Sequence, residues 1–423
     1  MGSSLCGCVD TALAQGVLLN GWMHTGAIFP VGDSDVWTFA ASAGDRIILR
    51  VGEISQTNAF TPRMRLINPV AVQQASASGA LDAEIAVTAT NTGTFTVIVD
   101  DAVGTTATGT YRLTLAMSPG AVMVSPGDEG GPLVNGFQHA GTINVGDLDV
   151  WTFSANAGDA IVLRMGSVGF NPWIRLFGPT GVMVGQAVDG SNGVRDADLR
   201  VQATNRGPYT VVVGGLYQNG NGPYILTLAH LPGKIGVAPG DEGGSSETNG
   251  FVVIGTINVG DLDVWSFQAC QGNLLSFRCQ ELTGGVSFSP RLRLFGPTGQ
   301  LLVSLVHATT VTINYQTTNV GVYTLIVDGG LFNHTGTYTL TGSGFVEEGL
   351  RLCLPDVAGT VAHVSGVGGT PGADFVLLTT STLDPPIDWM PIHTNRFDVN
   401  GVFEHTHPLL PGEKRRFYNL FEE

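Results

Sequence analysis

The sequence repeats itself at an interval of 114 residues, and this repeat constrains the fold more than any other feature. The hexapeptides GDSDVW, GDLDVW and GDLDVW end at Trp37, Trp151 and Trp265. An asparagine, a glycine and an aromatic residue farther along each copy keep the same interval. Solenoid units span only ~20–50 residues, whereas a self-sufficient β-sandwich has about 100. The chain is therefore predicted to be a tandem array of one domain type.

Each copy is composed of short segments rich in Val, Tyr and Thr, and no window keeps an apolar helical period with capping residues. We predict an all-β fold of three tandem antiparallel β-sandwich domains, of jelly-roll or immunoglobulin-like type, plus a small C-terminal β-domain. The predicted boundaries are an N-terminal arm (1–15), a first sandwich (16–118), a linker and second sandwich (119–232), a linker and third sandwich (233–346), and the C-terminal β-domain (347–423).

Glycine-containing tetrads mark the turns. Asn156–Asp159 is predicted to close a hairpin between DVWTFSA and AIVLRMG, and Asn400-Gly401 a hairpin between FDV and VFEHT. Gly178–Gly181 has proline at its second position, which favours a tight reverse turn.

The charge balance excludes several classes of partner. Lys+Arg 19 against Asp+Glu 35 gives a net charge of −16, so no basic stripe is available for nucleic acid or an anionic membrane. No run of 18 apolar residues is present, so we expect no membrane span. Charged residues make up 13% of the chain, about half the usual ~25%, which favours a surface in contact with other molecules or glycans.

The motifs GDLDVWTFSANAGDAIVLRM, IRLFGPTG, GPYTVVVGG and PYILTLA occur in this order within the second copy. In this order they resemble the bacterial pre-peptidase C-terminal domain, a β-sandwich found beside secreted peptidases and in bacterial surface proteins. The resemblance covers residues 16–346 in three copies. Residues 347–423 contain the elements W-x-P from Trp389, T-N-x-F-D-x-x-G-x-F at Thr394–Phe403 and R-F-Y at Arg416–Tyr418. With these elements they resemble a small C-terminal β-domain of large secreted bacterial proteins. Both resemblances imply secretion and a non-catalytic role.

The paired aspartates of the hexapeptides are candidate calcium ligands: Asp33, Asp35, Asp147, Asp149, Asp261 and Asp263. In a strand, residues two apart share a face, so Asp149 points inward with Trp151. A structural interpretation has this carboxylate held by backbone N–H groups or by one arginine that repeats with it. A calcium site would add Asp128 and Glu129 of the linker, although Ca²⁺ takes six to eight oxygens. We favour the structural interpretation, with no cofactor and no metal. Some relatives in the family bind calcium near the domain start.

Other candidate sites are weaker. PGDEGG precedes the second and third copies and is interpreted as a turn-rich spacer rather than a hinge ligand. His405 and His407 share a strand face and are interpreted as an exposed edge rather than a metal site. Asn333–Thr335 forms a glycosylation sequon. The sequence lacks GxSxG, HExxH, Walker and dinucleotide motifs, so we expect no enzymatic activity.

Five cysteines leave at least one without an intrachain partner. Cys270 and Cys279 are not placed opposite each other across a hairpin, so a bond between them is disfavoured. One of the two could instead bond Cys353 and hold the C-terminal domain against the third copy. Cys6 and Cys8 lie in the N-terminal arm, where they are candidates for assembly contacts.

These features lead to one functional expectation. The chain is expected to be an extracellular structural protein of the bacterial surface, the protomer of a fibre that assembles head to tail from copies of itself. The arm would contact the neighbouring copy, because an exposed sheet edge accepts an incoming strand. The alternative is a carbohydrate- or matrix-binding accessory protein whose repeats provide avidity.

Overall fold

The computed structural model describes residues 14–55, 59–103, 107–189, 195–216, 220–245, 248–282, 288–330, 335–347, 349–413 and 415–423. These residues form an all-β protein of tandem β-sandwiches, as expected. Within them, no helix has the length and apolar character needed to cross a membrane. The described residues divide into two compact units. One runs up to Val134 and continues in His139–Ala157 and Val162–Leu226; the other comprises Asn135–Gln138, Gly158–Ile161 and Thr227–Glu423.

The first sandwich has two sheets, with strand orders β1-β3-β8-β5-β6 and β2-β9-β4-β7. Its strands are β1 (Ala14–Val17), β2 (Met23–Ile28), β3 (Ser34–Ala41), β4 (Arg46–Glu53), β5 (Pro62–Ile67), β6 (Gln73–Ser78), β7 (Asp82–Thr88), β8 (Gly93–Asp101) and β9 (Gly109–Ser118). Inward residues of both sheets, including Trp37, Phe95 and Tyr111, form one core.

The second sandwich repeats this arrangement, with strand orders β10-β12-β17-β14-β15 and β11-β18-β13-β16. Its strands are β10 (Gly130–Pro132), β11 (Gln138–Ile143), β12 (Asp149–Ala155), β13 (Ala160–Ser167), β14 (Pro172–Phe177), β15 (Met183–Val188), β16 (Arg195–Gln202), β17 (Gly207–Gly215) and β18 (Gly222–Leu231). The edge strand β10 belongs to the PGDEGGP segment, so this spacer is part of the sheet that follows it.

The third sandwich has strand orders β19-β21-β26-β23-β24 and β20-β27-β22-β25. Its strands are β19 (Gly243–Gly244), β20 (Phe251–Ile257), β21 (Asp263–Ala269), β22 (Leu274–Glu281), β23 (Pro290–Phe295), β24 (Leu301–Val306), β25 (Thr310–Gln316), β26 (Gly321–Gly329) and β27 (Gly336–Ser343). Trp37, Trp151 and Trp265 pair in register with Val97, Val211 and Leu325. The three indoles are therefore equivalent core residues, 6%, 6% and 3% exposed.

The C-terminal domain contains β28 (Arg351–Leu352), β29 (Asp356–Ala358), β30 (Val361–Val367), β31 (Asp374–Thr380), β32 (Met390–Arg396), β33 (Phe403–Pro408) and β34 (Phe417–Glu422). One sheet has the order β28-β30-β29, with β33 also paired to β30, and the other is β32-β31-β34. Phe375, Phe397 and Phe403 pack between them. A disulfide joins Cys270 to Cys353, while Cys279 is a free thiol buried in the core of the third sandwich.

Two turns that were predicted to close hairpins instead connect different sheets. After Asn156–Asp159 the chain leaves the sheet of β12, and β13 pairs in the opposite sheet. At Asn400-Gly401, β32 pairs with β31 whereas β33 pairs with β30. Alternating residues identify a strand but not its partner, and a sandwich requires some consecutive strands to cross between its layers. The tight turn at Gly178–Gly181 is confirmed, with a hydrogen bond of 3.0 Å from the Gly181 N–H to the Gly178 carbonyl.

Candidate metal centre

Each position of the hexapeptide GDLDVW has a separate structural role in the second sandwich. Gly146 has a φ of +77°, and a Cβ on it would meet the Gly52 nitrogen at 2.5 Å, so only glycine fits this close approach. The Asp147 carboxylate accepts the Leu148 N–H at 2.9 Å, which holds the turn before the strand. Trp151 then enters the core. The repeated sequence therefore encodes a tight turn, a close backbone contact and a core anchor.

Asp149 occupies the inward position predicted for it and is 1% exposed. Its Oδ2 accepts the hydroxyl of Tyr224 at 2.5 Å, and the Trp151 indole N–H donates to the same hydroxyl at 3.0 Å. The first sandwich has the same triad of Asp35, Tyr111 and Trp37, and Tyr338 donates to Asp263 in the third. The predicted intradomain hydrogen bonds of these aspartates are confirmed, but their side-chain donor is a tyrosine of the opposite sheet, which replaces the arginine considered as one of two alternatives.

The repeating arginines pair with other acidic groups. Arg164 pairs with Asp196, and Arg293 with Asp328 at 2.5 Å. Arg50 and Arg175 both contact Glu84, at 3.1 and 2.6 Å. A guanidinium on the outward side of its strand cannot reach a carboxylate that points into the sandwich, since successive side chains point to opposite faces.

In the second sandwich, linker and hexapeptide form an acidic cluster. One carboxylate oxygen from each of Asp128, Asp147 and Asp149 lies within 4.8 Å of the others. Asp149 Oδ1 is buried and has no hydrogen-bond partner. Burial and the neighbouring Asp147 carboxylate raise the pKa of Asp149 well above its usual value, and the same two causes raise the pKa of Asp128 to about 7. The cluster therefore either retains protons near neutral pH or binds a cation.

The third sandwich contains an equivalent cluster of Asp241, Glu242 and Asp263. Buried oxygens again lack hydrogen-bond partners, namely Asp263 Oδ1 and Asp241 Oδ2. Burial, followed by the charge of Asp261, raises the pKa of Asp263 well above its usual value. Asp261 itself lies beside this cluster and accepts the side-chain amide of Gln138 at 2.8 Å.

The first sandwich differs at this position. Gln15 donates its amide to Asp35 Oδ1 at 2.6 Å, while Tyr111 donates to Oδ2, also at 2.6 Å. Both oxygens of the inward aspartate are thus satisfied by neutral groups. Asp33 accepts the N–H groups of Ser34 and Phe29 at 2.8 and 3.2 Å. The described residues of the first sandwich contain no acidic cluster of the kind seen in the other two.

The donor sets of the second and third sandwiches fit a hard divalent cation. Calcium binds six to eight oxygens at 2.3–2.6 Å and favours carboxylates and backbone carbonyls. Each cluster offers three carboxylates, of which at least one has a buried oxygen without a hydrogen-bond partner. These carboxylates would hold the ion, which would neutralise their mutual repulsion. Sequence reasoning missed Asp241, Glu242 and the three tyrosines, although the second PGDEGG and the recurring GxY motif were the available signals.

The other predicted candidates are placed as follows. His405 and His407 lie side by side with ring centroids 6.4 Å apart, and His393 stacks on His405 at 4.2 Å. His407 Nδ1 lies 3.0 Å from the Tyr418 hydroxyl. In the described part of the chain, the ligand atoms of this histidine row do not form a group within 4.8 Å of one another, as those of the two acidic clusters do. Cys6 and Cys8 lie outside the described residues, as do Asn333 and His334 of the sequon.

Comparison with known proteins gives limited matches. No family model matches the chain, and no curated protein does. Among solved structures, the pre-peptidase C-terminal domain of a collagenase from Bacillus anthracis matches at 18% identity and a TM-score of 0.19, covering 24% of this chain and 95% of that one. A GH2 β-galacturonidase from Eisenbergiella tayi bound to glycerol matches at 10% identity and a TM-score of 0.14, covering 42% of this chain. The match spans about a third of that enzyme, 34%.

Proposed function

We propose that this chain is a non-catalytic, extracellular structural protein whose first two β-sandwiches are fixed to each other by a buried interface. The observation that carries the proposal is the contact between the first and second sandwiches, which has the character of a core rather than of a flexible linker. Two adjacent repeats held in a fixed relation suit a mechanical or spacing role.

The centre of this contact is apolar. It is formed by Ile48, Ala116, Leu148, Val150, Phe177 and Val212. All six are at most 1% exposed. At about 25 cal/mol per Å² of buried apolar surface, such a cluster strongly opposes separation of the two sandwiches.

The same contact also contains a triad of charged residues, Glu84, Arg50 and Arg175. The Glu84 carboxylate of the first sandwich forms an ion pair with the Arg175 guanidinium of the second, with an N···O distance of 2.6 Å. It forms another with Arg50 of its own sandwich at 3.1 Å. Arg50 also donates to the Gly215 carbonyl at 2.9 Å, and Thr114 donates to the Gly146 carbonyl at 3.1 Å. Separating one partner of a buried ion pair from the other leaves an uncompensated buried charge, which is strongly destabilising. The triad therefore favours one relative orientation of the two domains.

The extracellular location is supported by the Cys270–Cys353 disulfide, because disulfides persist in oxidising compartments and are rare in the cytosol. The two acidic clusters support the same location, since extracellular calcium sites often bind with dissociation constants of about 10⁻⁴–10⁻³ M. In this proposal calcium stabilises the second and third sandwiches, and the first, with Gln15 on Asp35, folds without it.

The proposal includes assembly of the chain into a head-to-tail homopolymer on the bacterial surface through residues 1–15. The test is light scattering and negative-stain imaging of the full chain with calcium, under non-reducing conditions, beside a variant that lacks residues 1–13 and so keeps β1 and the hydrogen bond from Gln15 to Asp35. We expect linear assemblies from the full chain and monomers from the deletion. Equal assembly by both proteins would refute the connecting role of the arm, and monomers from both would refute the homopolymer.

A carbohydrate- or matrix-binding accessory role is the competing function. Sedimentation with insoluble bacterial and plant polysaccharides, with calcium and with EDTA, distinguishes the two. Saturable, calcium-dependent binding by protein that does not assemble would favour the accessory role over the structural one.

A further inference from the structure

We propose that the histidine row of the C-terminal domain is a pH-sensitive latch, which holds the two sheets of the domain together at neutral pH and releases them in mild acid. The row consists of His393 on β32 and of His405 and His407 on β33. This inference goes beyond the proposed structural function, and it does not depend on whether the chain forms fibres.

The histidine row occupies core-facing positions at one end of the domain. Phe403, His405 and His407 share one face of β33, because alternate residues of a strand point to the same side. Phe403 is buried in the core, whereas the two histidines are half-buried. His393 pairs in register with Leu377 of β31, which is fully buried. The aromatic core is therefore continued toward this end by rings that can take up a proton.

The row connects the two sheets directly. His393 belongs to the sheet β32-β31-β34, whereas His405 lies on β33, which pairs with β30 of the other sheet. The two rings stack, with centroids 4.2 Å apart and an angle of 19° between their planes. Neutral imidazoles tolerate this arrangement, but two imidazolium ions at the same distance repel each other. The contact between the sheets at this end therefore requires that the stacked pair does not carry two charges.

The charged groups around the row offer little compensation for a positive charge. Arg416 and Glu413 lie near His407 and form an ion pair with each other at 2.6 Å. The other charged groups of the neighbouring strands are placed as follows: His363 and Glu404 on the opposite face of their sheet, Asp374 and Arg396 in an ion pair at 2.6 Å, and Glu422 accepting the Thr370 N–H at 3.1 Å.

These surroundings favour the neutral form of the row. Burial, followed by the charges of His393 and His407, holds the pKa of His405 below its ordinary value of 6.5. Burial, followed by the Arg416 guanidinium, lowers the pKa of His407, and Glu413 opposes this in part. A folded pKa below the unfolded value means stability that is fully present above pH ~6.5 and is lost as the pH falls through the folded value. Mild acid therefore favours separation of the sheets at this end.

The other end of the domain is anchored, so that the latch opens the domain without detaching it. On β30, Gly366 pairs with Phe403, and the adjacent Val367 packs with Cys353 in one apolar cluster. The disulfide of Cys353 joins this end to the third sandwich. His407 pairs instead with Ala362, near the start of β30. The histidine row thus lies at the end of the domain away from the disulfide.

Hydrogen exchange of the full chain, followed by mass spectrometry under non-reducing conditions, tests the latch. Each rate is corrected for the pH dependence of intrinsic amide exchange. An opening that takes up one proton becomes about tenfold more favourable each time the pH falls by one below ~6.5. We therefore expect the protection of β32 and β33 to fall about tenfold or more between pH ~7.5 and ~5.

Two variants place the sensor in the row, and a third is the matched control. His405→Phe continues the aromatic face of β33 with a ring that cannot be charged, so the loss of protection in acid should disappear. His393→Gln removes the other member of the stacked pair and should reduce the loss, which keeps the test valid if the larger ring packs poorly. His363→Gln removes a histidine from the outer face of the neighbouring strand and should respond as wild type does. Circular dichroism at neutral pH verifies that each variant is folded.

Protection of β32 and β33 that is unchanged in acid would overturn the proposal. An equal loss in wild type, His405→Phe and His393→Gln would also overturn it, as would loss of the response in His363→Gln. The same measurements on the chain lacking residues 1–13 separate the latch from assembly. An equal response with and without these residues is expected, whereas a response confined to the full chain would overturn the latch, because acid would then act through assembly.

Discussion

Asp128→Asn provides the sharpest test of the acidic cluster in the second sandwich. In the folded protein the pKa of Asp128 rises from 3.8 to about 7, first because of burial and then because of the Asp147 carboxylate. A folded pKa above the unfolded value means stability that is fully present below pH ~4 and is lost as the pH rises through ~7. Without a cation, the second sandwich should therefore lose stability between these two values.

The magnitude follows from the size of the shift. A tenfold change in the proton-binding equilibrium corresponds to about 1.4 kcal/mol, so a pKa that rises from 3.8 to about 7 on folding would give about 4 kcal/mol. Asp128 is partly accessible to solvent, and screening reduces this to about 2 kcal/mol. In EDTA at pH 8, Asp128→Asn should accordingly raise the free energy of unfolding of the second sandwich by about 2 kcal/mol. At pH 4 the two proteins should differ little.

Calcium should reverse the order of stability. At 100 times its dissociation constant, a bound ion adds about 2.7 kcal/mol, and the variant lacks one of its ligands. Calorimetric melting at pH 4 and pH 8, in EDTA and in calcium, measures all four conditions, with exposed Asp356→Asn as a control of the same charge change. A variant that is less stable than wild type in EDTA at pH 8, or that gains as much from calcium as wild type, would refute the reasoning.

Three further predictions concern the core, the domain contact and the disulfide. Trp151→Ala should cost about 3–5 kcal/mol, because the indole is 6% exposed and leaves a cavity; a melting shift no larger than that of Asp356→Asn would contradict its core placement. Glu84→Gln should cost about 3–5 kcal/mol, since it leaves the buried Arg175 without its charge partner, and hydrogen exchange should rise first at the contact of the first two sandwiches. Unchanged hydrogen exchange at this contact would contradict the prediction, because the apolar centre would then hold the two sandwiches together without the ion pair. Cys353→Ser should cost about 2–4 kcal/mol, and wild-type protein under reducing conditions should melt like the variant; unequal melting would argue against the bond to Cys270.

The sequence alone determined the class of fold and the identity of the main core residues. The 114-residue interval and the alternating strands required tandem β-sandwiches. The alternation is a local pattern, and the interval is read directly by aligning the copies along the chain. The inward positions of Trp151 and Asp149 followed from the same period of two. These inferences depended on no knowledge of which strands pair.

The tertiary structure decided every feature that depends on contacts between distant segments. Strand order showed that the turn at Asn156–Asp159 crosses between sheets. Contacts across the sandwich showed that Tyr224, not an arginine, donates to Asp149. The disulfide showed that Cys270, not Cys279, bonds Cys353. The cluster at Asp128 is of the same kind, since an edge strand must pair beside the hexapeptide before the carboxylates meet. Alternation specifies the face on which a side chain lies, but the partner opposite that face is set by sheet pairing and layer packing, which have no local signature in the sequence.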